Sequence, residues 1–255
     1  MASKFQKLQN KHVLIIGGTS GLGFAVAEGS LASGARVTVS SSSQSRVDAA
    51  VEKLQAEFPN STSVGHACDL SKPTVEEDIQ ALFAKVGKVD HIVYTAGDKL
   101  VTGPVSDITY EKIIAAGQVR FFAPLLVAKV GSKYLSPGPY SSITLTTGAV
   151  SQKPSKDWGL ITGYITGLHG MTRSLALDLK PIRVNLVSPG FVVTEIWDHS
   201  HDEKAKEELS QSVAGTMPTG RAAQPEDVAE AYLFLMKDPN VTGSVVDSNS
   251  GALLV

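Results

Sequence analysis

Strand-length apolar runs alternate with helix-length amphipathic segments along the whole chain, and this rhythm constrains the fold more than any other feature. The runs are Val13 to Ile16, Arg36 to Val39, Val64 to Cys68, His91 to Tyr94, Ser142 to Leu145, Arg183 to Val187 and Ser244 to Asp247. Between them, Ala49 to Phe58 sets Val51, Leu54 and Phe58 on one helical face, and Val75 to Val86 does the same with Ile79, Leu82, Phe83 and Val86. Parallel strands need long crossovers, and a βαβα order supplies them as helices covering both faces of one sheet. The expectation is an α/β fold with a doubly wound parallel sheet.

With 255 residues and 42% hydrophobic content, one large core suffices and a second domain is not required. We therefore expect residues 1–255 to form a single domain. The net charge of −2, with Lys and Arg scattered, offers no field for a nucleic acid or a membrane surface, and neither is expected as a partner. The single cysteine, Cys68, reads as a small buried residue in a reducing compartment. The apolar run before the first glycines is too short for a signal or a span, so a cytoplasmic location is expected. No metal site is expected.

Two stretches break the rhythm: 148–163, with Pro154 and Trp158, and 191–218, whose part from Trp197 to Pro218 is densely charged. Both follow strand ends, where an open α/β sheet binds its ligands. They are the expected substrate lip, and are read as mobile loops.

The first strand runs directly into Gly17-Gly18-Thr19-Ser20-Gly21-Leu22-Gly23, and an apolar helix follows from about Phe24. Glycines there permit a tight turn and let backbone approach a pyrophosphate seated on helix-N-terminal N–H groups. Gly17, Thr19, Ser20, Gly21, Leu22 and Gly23 are thus candidate dinucleotide contacts.

The spacing Gly17-x-x-x-Gly21-x-Gly23 resembles the glycine motif of the short-chain dehydrogenase/reductase family. Further landmarks follow in family order: Cys68-Asp69-Leu70, Tyr94-Thr95-Ala96-Gly97, Ile182-Arg183-Val184-Asn185, Ser188-Pro189-Gly190, Pro225-Glu226-Asp227-Val228-Ala229 and Val241-Thr242-Gly243. The resemblance implies a single Rossmann-type domain. It also implies that Asp69 and Leu70 meet the adenine, that Ala96 and Gly97 line the cofactor, and that Pro189, Gly190, Val192 and Thr194 hold the nicotinamide end. A homodimer or homotetramer, built on the helices Glu111 to Val130 and Gly163 to Leu179, is implied as well.

The end of the second strand selects the cofactor. An acidic residue there would bind two ribose hydroxyls and repel a 2′-phosphate, but the chain reads Val39-Ser40-Ser41-Ser42-Ser43-Gln44-Ser45-Arg46. Ser40, Ser41 and Ser42 can donate to a phosphate and Arg46 adds charge, which favours NADP(H). The same serines also read as a helix N-cap cluster, and both readings can hold together.

In the family, a Tyr donates the proton for carbonyl reduction, a Lys one turn later supports it, a Ser orients substrate and an Asn completes a water relay. Taking the register from Thr172-Arg173-Ser174-Leu175-Ala176-Leu177, those positions fall on Ile161, Ile165, Thr147 and Gly117. Neither isoleucine can transfer a proton. The remaining catalytic candidates are Thr147, Asp157 in the lip, and Arg120 one turn beyond Gly117, which is also expected to face the cofactor. Trp158, Tyr164 and Trp197 are candidate substrate contacts, and His169 reads as a helix-face residue.

Reduction of a ketone leaves an alkoxide that needs a proton, whereas an iminium ion accepts hydride without one. A carboxylate such as Asp157 would stabilise the cation, and the aromatics Trp158, Phe191 and Trp197 suit a bulky apolar ligand. The leading expectation is an NADP(H)-dependent oxidoreductase reducing a C=N⁺ group of a bulky secondary-metabolite intermediate. The pattern resembles family members of fungal indole-alkaloid pathways that lack Tyr and Lys and couple reduction to an intramolecular Diels–Alder cyclisation. Two alternatives stand beside it: a carbonyl reductase using Thr147 and Tyr164 in a rearranged site, and a non-catalytic NADP-binding regulatory protein.

Overall fold

A computed structural model describes residues 4–195 and 203–255. Seven strands form one parallel sheet: β1 His12–Ile16, β2 Arg36–Ser41, β3 Ser63–Ala67, β4 His91–Tyr94, β5 Ser142–Thr146, β6 Arg183–Pro189 and β7 Val245–Ser248, in the order β3-β2-β1-β4-β5-β6-β7. The helices are α1 Gly21–Ala32, α2 Gln44–Glu57, α3 Val75–Val86, α4 Tyr110–Gly117, α5 Ala123–Gly131, α6 Gly159–Asp178, α7 Glu203–Thr216 and α8 Pro225–Lys237. The strand order reverses between β1 and β4, which opens a crevice at their C-terminal ends.

Alternation along β1 shows how the sheet is buried on both sides. Val13 and Ile15 join a core with α1, α2 and α8 that includes Val26, Leu54, Val228 and Leu235. Leu14 and Ile16 join the opposite core, with Ile79 and Phe83 of α3, Val127 of α5 and Leu168 of α6. Successive strand side chains point to opposite faces, so an unbroken apolar run is what such a strand requires. Helix α8 starts where Pro225 takes the first helical position, and the Gln224 N–H donates to the Asp227 carboxylate at 2.8 Å.

Helices α4 and α5 are joined by the π-helical turn Gln118–Phe122. The combined run Tyr110–Gly131 is long and apolar enough to cross a membrane by length and composition. Here Ala116, Val119, Ala123, Val127, Ala128 and Val130 are buried, most of them in the core beneath β4 and β5, which accounts for its apolarity.

The seven expected strands are present, with ends displaced by one or two residues. The lip departs from expectation. Helix α6 begins at Gly159, inside the first stretch, and α7 fills much of the second. The sequence of α7, Glu-Lys-Ala-Lys-Glu-Glu-Leu, is built from strong helix formers, so its charge marks a solvated helix rather than a loop.

Candidate active site

The glycine turn is fastened between β2 and β4. The Gly17 and Gly18 N–H groups donate to the Ser40 carbonyl at 2.8 and 3.2 Å, while those of Thr95 and Ala96 both donate to the Ile16 carbonyl at 2.9 Å. A Cβ at Gly17 would stand 2.4 Å from the Ala96 nitrogen, and one at Gly23 would stand 2.1 Å from the Gly17 carbonyl oxygen. Only glycine fits at either place. At Gly21, with φ +49°, a Cβ would lie 3.1 Å from the Thr194 side chain, so the loop after β6 closes over the turn. Gly190 is packed equally tightly on the Asn249 backbone beyond β7.

Ser20 precedes α1 in an extended conformation, and its hydroxyl makes no capping hydrogen bond. Ser20 thus leaves the first-turn N–H groups of α1 without a cap from its own hydroxyl, and this arrangement fits a pyrophosphate. Gly17, Gly21, Gly23, Ala96, Gly97 and Thr194 are brought together there. Pro189 ends β6, and Val192 is buried beside Ala223 with its backbone in a bridge to it.

At the adenosine end one expectation changes. Ser40 is fully buried and its hydroxyl is closed to solvent, so it serves the site through its carbonyl rather than by donating to a phosphate. Strand β2 continues to Ser41, half-buried, and the exposed Ser42 follows, whose Oγ accepts from the Arg46 guanidinium at 2.6 Å. The Asp69 carboxylate accepts from the Ser71 hydroxyl at 2.7 Å and the Ser71 N–H at 3.1 Å. That hydroxyl bond, with Lys72 adding to it, holds the carboxyl below its ordinary range despite partial burial. Leu70 is buried and its carbonyl takes the Gln118 amide at 3.1 Å.

The two isoleucines expected at the family's Tyr and Lys positions lie in the core. Ile161 and Ile165 are both buried on α6. Thr147 lies just past β5, and its hydroxyl donates to the Ile165 carbonyl at 2.7 Å. The Tyr164 hydroxyl donates to the Ile113 carbonyl of α4 at 2.9 Å, and its ring packs against Phe121 and Phe122. A Cβ at Gly117 would stand 2.6 Å from that ring, so Tyr164 fills the space an Asn at 117 would have used. The absence of a side chain at Gly117 admits the aromatic, and Tyr164 joins an α4–α6 cluster with Phe121 and Phe122.

Asp157 lies in an exposed turn with φ +64°, a left-handed conformation that Asp tolerates better than most residues. Its carbonyl accepts from the Gly103 N–H at 2.7 Å, tying the two loops at the mouth of the crevice. Among the described residues its carboxylate makes no hydrogen bond or ion pair. Trp158 follows, half-buried, at the start of α6. Trp197 lies outside the described residues.

Arg120 projects from the π turn onto Gly97, where an added Cβ would meet the guanidinium at 2.7 Å. Its Nη2 donates to the Asp98 carbonyl, and its Nε lies 3.1 Å from Asp98 Oδ1 at an angle that leaves neither atom in a hydrogen bond. Burial pushes the Asp98 carboxyl up and Arg120 pulls it back. Asp98 escaped the sequence reading, although its place directly after Tyr94-Thr95-Ala96-Gly97 marks it as a residue of the crevice. His169 accepts or donates with the Ser151 hydroxyl at 2.9 Å and stays on the helix face, as expected. Buried Arg183 serves the fold, donating to carbonyls of Pro139, Leu235, Met236 and Val241.

Residues 4–255 match the family model for the SDR-like Rossmann domain. The chain is 45% identical to the short-chain dehydrogenase/reductase fsr5 of Gibberella fujikuroi, over 97% of this chain and 96% of that one. It is 39% identical to the structure of MalC reductase/Diels–Alderase from Malbranchea aurantiaca, which covers 99% of both chains at a TM-score of 0.92. A small-chain dehydrogenase solved in complex with NADPH is 27% identical, covers 97% of this chain and 100% of its own, and has a TM-score of 0.78. These relatives, the sheet order and the glycine cradle agree, and the chain belongs to the short-chain dehydrogenase/reductase family, oxidoreductases whose Rossmann domain binds a nicotinamide cofactor.

Proposed function

We propose that this enzyme uses NADPH to reduce a C=N⁺ group in a bulky secondary-metabolite intermediate, and that the same pocket then holds the product for an intramolecular Diels–Alder cyclisation. The observation that carries this reading is the apolar core at Ile161 and Ile165, joined to a Thr147 hydroxyl already committed to the Ile165 carbonyl. At the positions read as the family's Tyr and Lys, neither isoleucine can give a proton. The printed name of the MalC relative, a reductase/Diels–Alderase, supports the class of chemistry.

Bound reduced nicotinamide supplies hydride, and delivery to an iminium carbon yields a neutral amine with no proton taken from the protein. The chain's own residues would then divide the work. The α1 amides and the glycine cradle hold the pyrophosphate, Ser41, Ser42 and Arg46 hold a 2′-phosphate, and Asp69 borders the adenine. The Asp157 carboxylate, unpaired among the described residues, would face the incoming cation, and Arg120 would fix polar groups of substrate at the Gly97 edge. Tyr110, Ile114 and Leu125 leave an apolar face exposed on α4 and α5, which supports a homodimer through these helices.

The purified protein, NADPH and a panel of cyclic imines and bulky ketones test this through loss of the NADPH absorbance. Oxidation with imines, reduced about a hundredfold in D157A, is the expected result. Oxidation with ketones alone would favour the carbonyl-reductase alternative, and NADPH binding without oxidation would favour a cyclase that does not consume it or a cofactor-binding regulator.

A further inference from the structure

Helix α4 does not run into α5 with regular pitch. Pro124 has no N–H to give to the preceding turn, and the chain forms the π turn in which the Ala123 N–H reaches the Gln118 carbonyl. The Val119 carbonyl thereby loses both natural donors, since the N–H of residue 123 is spent and residue 124 has none. Fully buried Tyr94, the last residue of β4, donates its hydroxyl to this carbonyl at 2.5 Å. One residue further on, Arg120 leaves the turn and lies on Gly97 and Asp98, both just past β4. The strand at the sheet's switch point thus grips the turn at one end and the guanidinium at the other.

We propose that Tyr94 and Asp98 are positioning residues for Arg120, Tyr94 by holding the π turn from which the side chain departs and Asp98 by fixing the guanidinium against Gly97 at the cofactor crevice. The side chains are 15% exposed for Arg120 and 35% for Asp98, so the pair opens toward the crevice rather than closing within the core. A partly buried ion pair is a poor device for stability alone, because desolvation offsets the attraction. It is a good device for aiming a charged fork. The consequence for turnover rests on the reading above, in which Arg120 faces the substrate; the geometric claim does not.

The test uses the full chain as D98N and Y94F, each with and without R120A. Three quantities are read: kcat and KM for NADPH oxidation with a cyclic imine, NADPH affinity, and the Arg120 Nε–H resonance, assigned by its absence in R120K. D98N should lower kcat/KM roughly tenfold to a hundredfold, mostly through kcat, and change NADPH affinity less than about threefold. It should add no further loss once Arg120 is absent, and both D98N and Y94F should move the Nε–H signal. An unmoved signal in D98N, or an equal loss with and without Arg120, overturns the proposal. If Y94F does not fold, the nearly isosteric D98N decides alone. If the wild-type protein oxidises NADPH with no imine or ketone, the functional reading fails, and the positioning claim is judged on the Nε–H signal.

Discussion

At the residue scale, the proposed preference for NADPH rests on a few atoms. Arg46 is exposed and its guanidinium is already oriented by Ser42, so a 2′-phosphate would meet a preformed donor pair. R46A should weaken NADPH binding by about tenfold and leave NADH binding nearly unchanged, as read by paired titrations. Equal weakening of both would remove Arg46 from the phosphate site. At this scale the sequence was readable where a residue has one physical use. Gly17 and Gly23 stand out because no other residue survives the contacts they make with Ala96 and with Gly17 itself. Ser40 and Tyr164 leave their direction open in the sequence, because a hydroxyl or a ring can serve either side of its element. Which side depends on neighbours far away in sequence, such as Ile113 for Tyr164.

Among the elements, helices reveal themselves by their caps more than by their composition. Pro225 takes the first helical position of α8, and Asp227 closes its cap. The Asp227 carboxylate accepts from the Gln224 N–H and pairs with Arg221 at 2.6 Å, and its carboxyl lies below its ordinary range first because of Arg221. D227A should therefore lower stability by about 1 kcal/mol, a drop of roughly 2–4 °C in Tm for a chain this size. A change under half a degree in a thermal melt would show that the cap is dispensable. The π turn between α4 and α5 was not legible, although its cause was in view. Pro124 sits inside an otherwise helical apolar run, and a proline there can kink, break or bulge a helix. Only the buried Tyr94 hydroxyl, delivered by a strand, decides among the three.

On the scale of the whole molecule, carboxyl groups from three helices meet at Glu28. Glu28 of α1 has its carboxyl pushed up to about 7, first by burial and then by Glu57 of α2, with Glu226 of α8 adding to it. The folded state therefore favours protonated Glu28. The associated stability is complete below the ordinary Glu value of about 4.3 and is lost as pH rises through about 7. E28Q should melt like the wild type at acid pH and above it at alkaline pH, and a difference independent of pH would contradict this. The fold as a whole was legible because seven apolar runs with helical spacers admit few topologies. The chemistry is expected mainly as a loss, at Ile161 and Ile165, since a substitution that removes a proton donor shows in sequence while a replacement assembled from distant loops does not. The central claim is that hydride goes to an acceptor needing no proton from the site. Its most direct test compares NADPH oxidation by a cyclic N-alkyl iminium salt, cationic at every pH, with that by the ketone of the same skeleton. Turnover of the iminium ion at least about a hundredfold faster in kcat/KM is the predicted result, and a ketone reduced as fast or faster would contradict it.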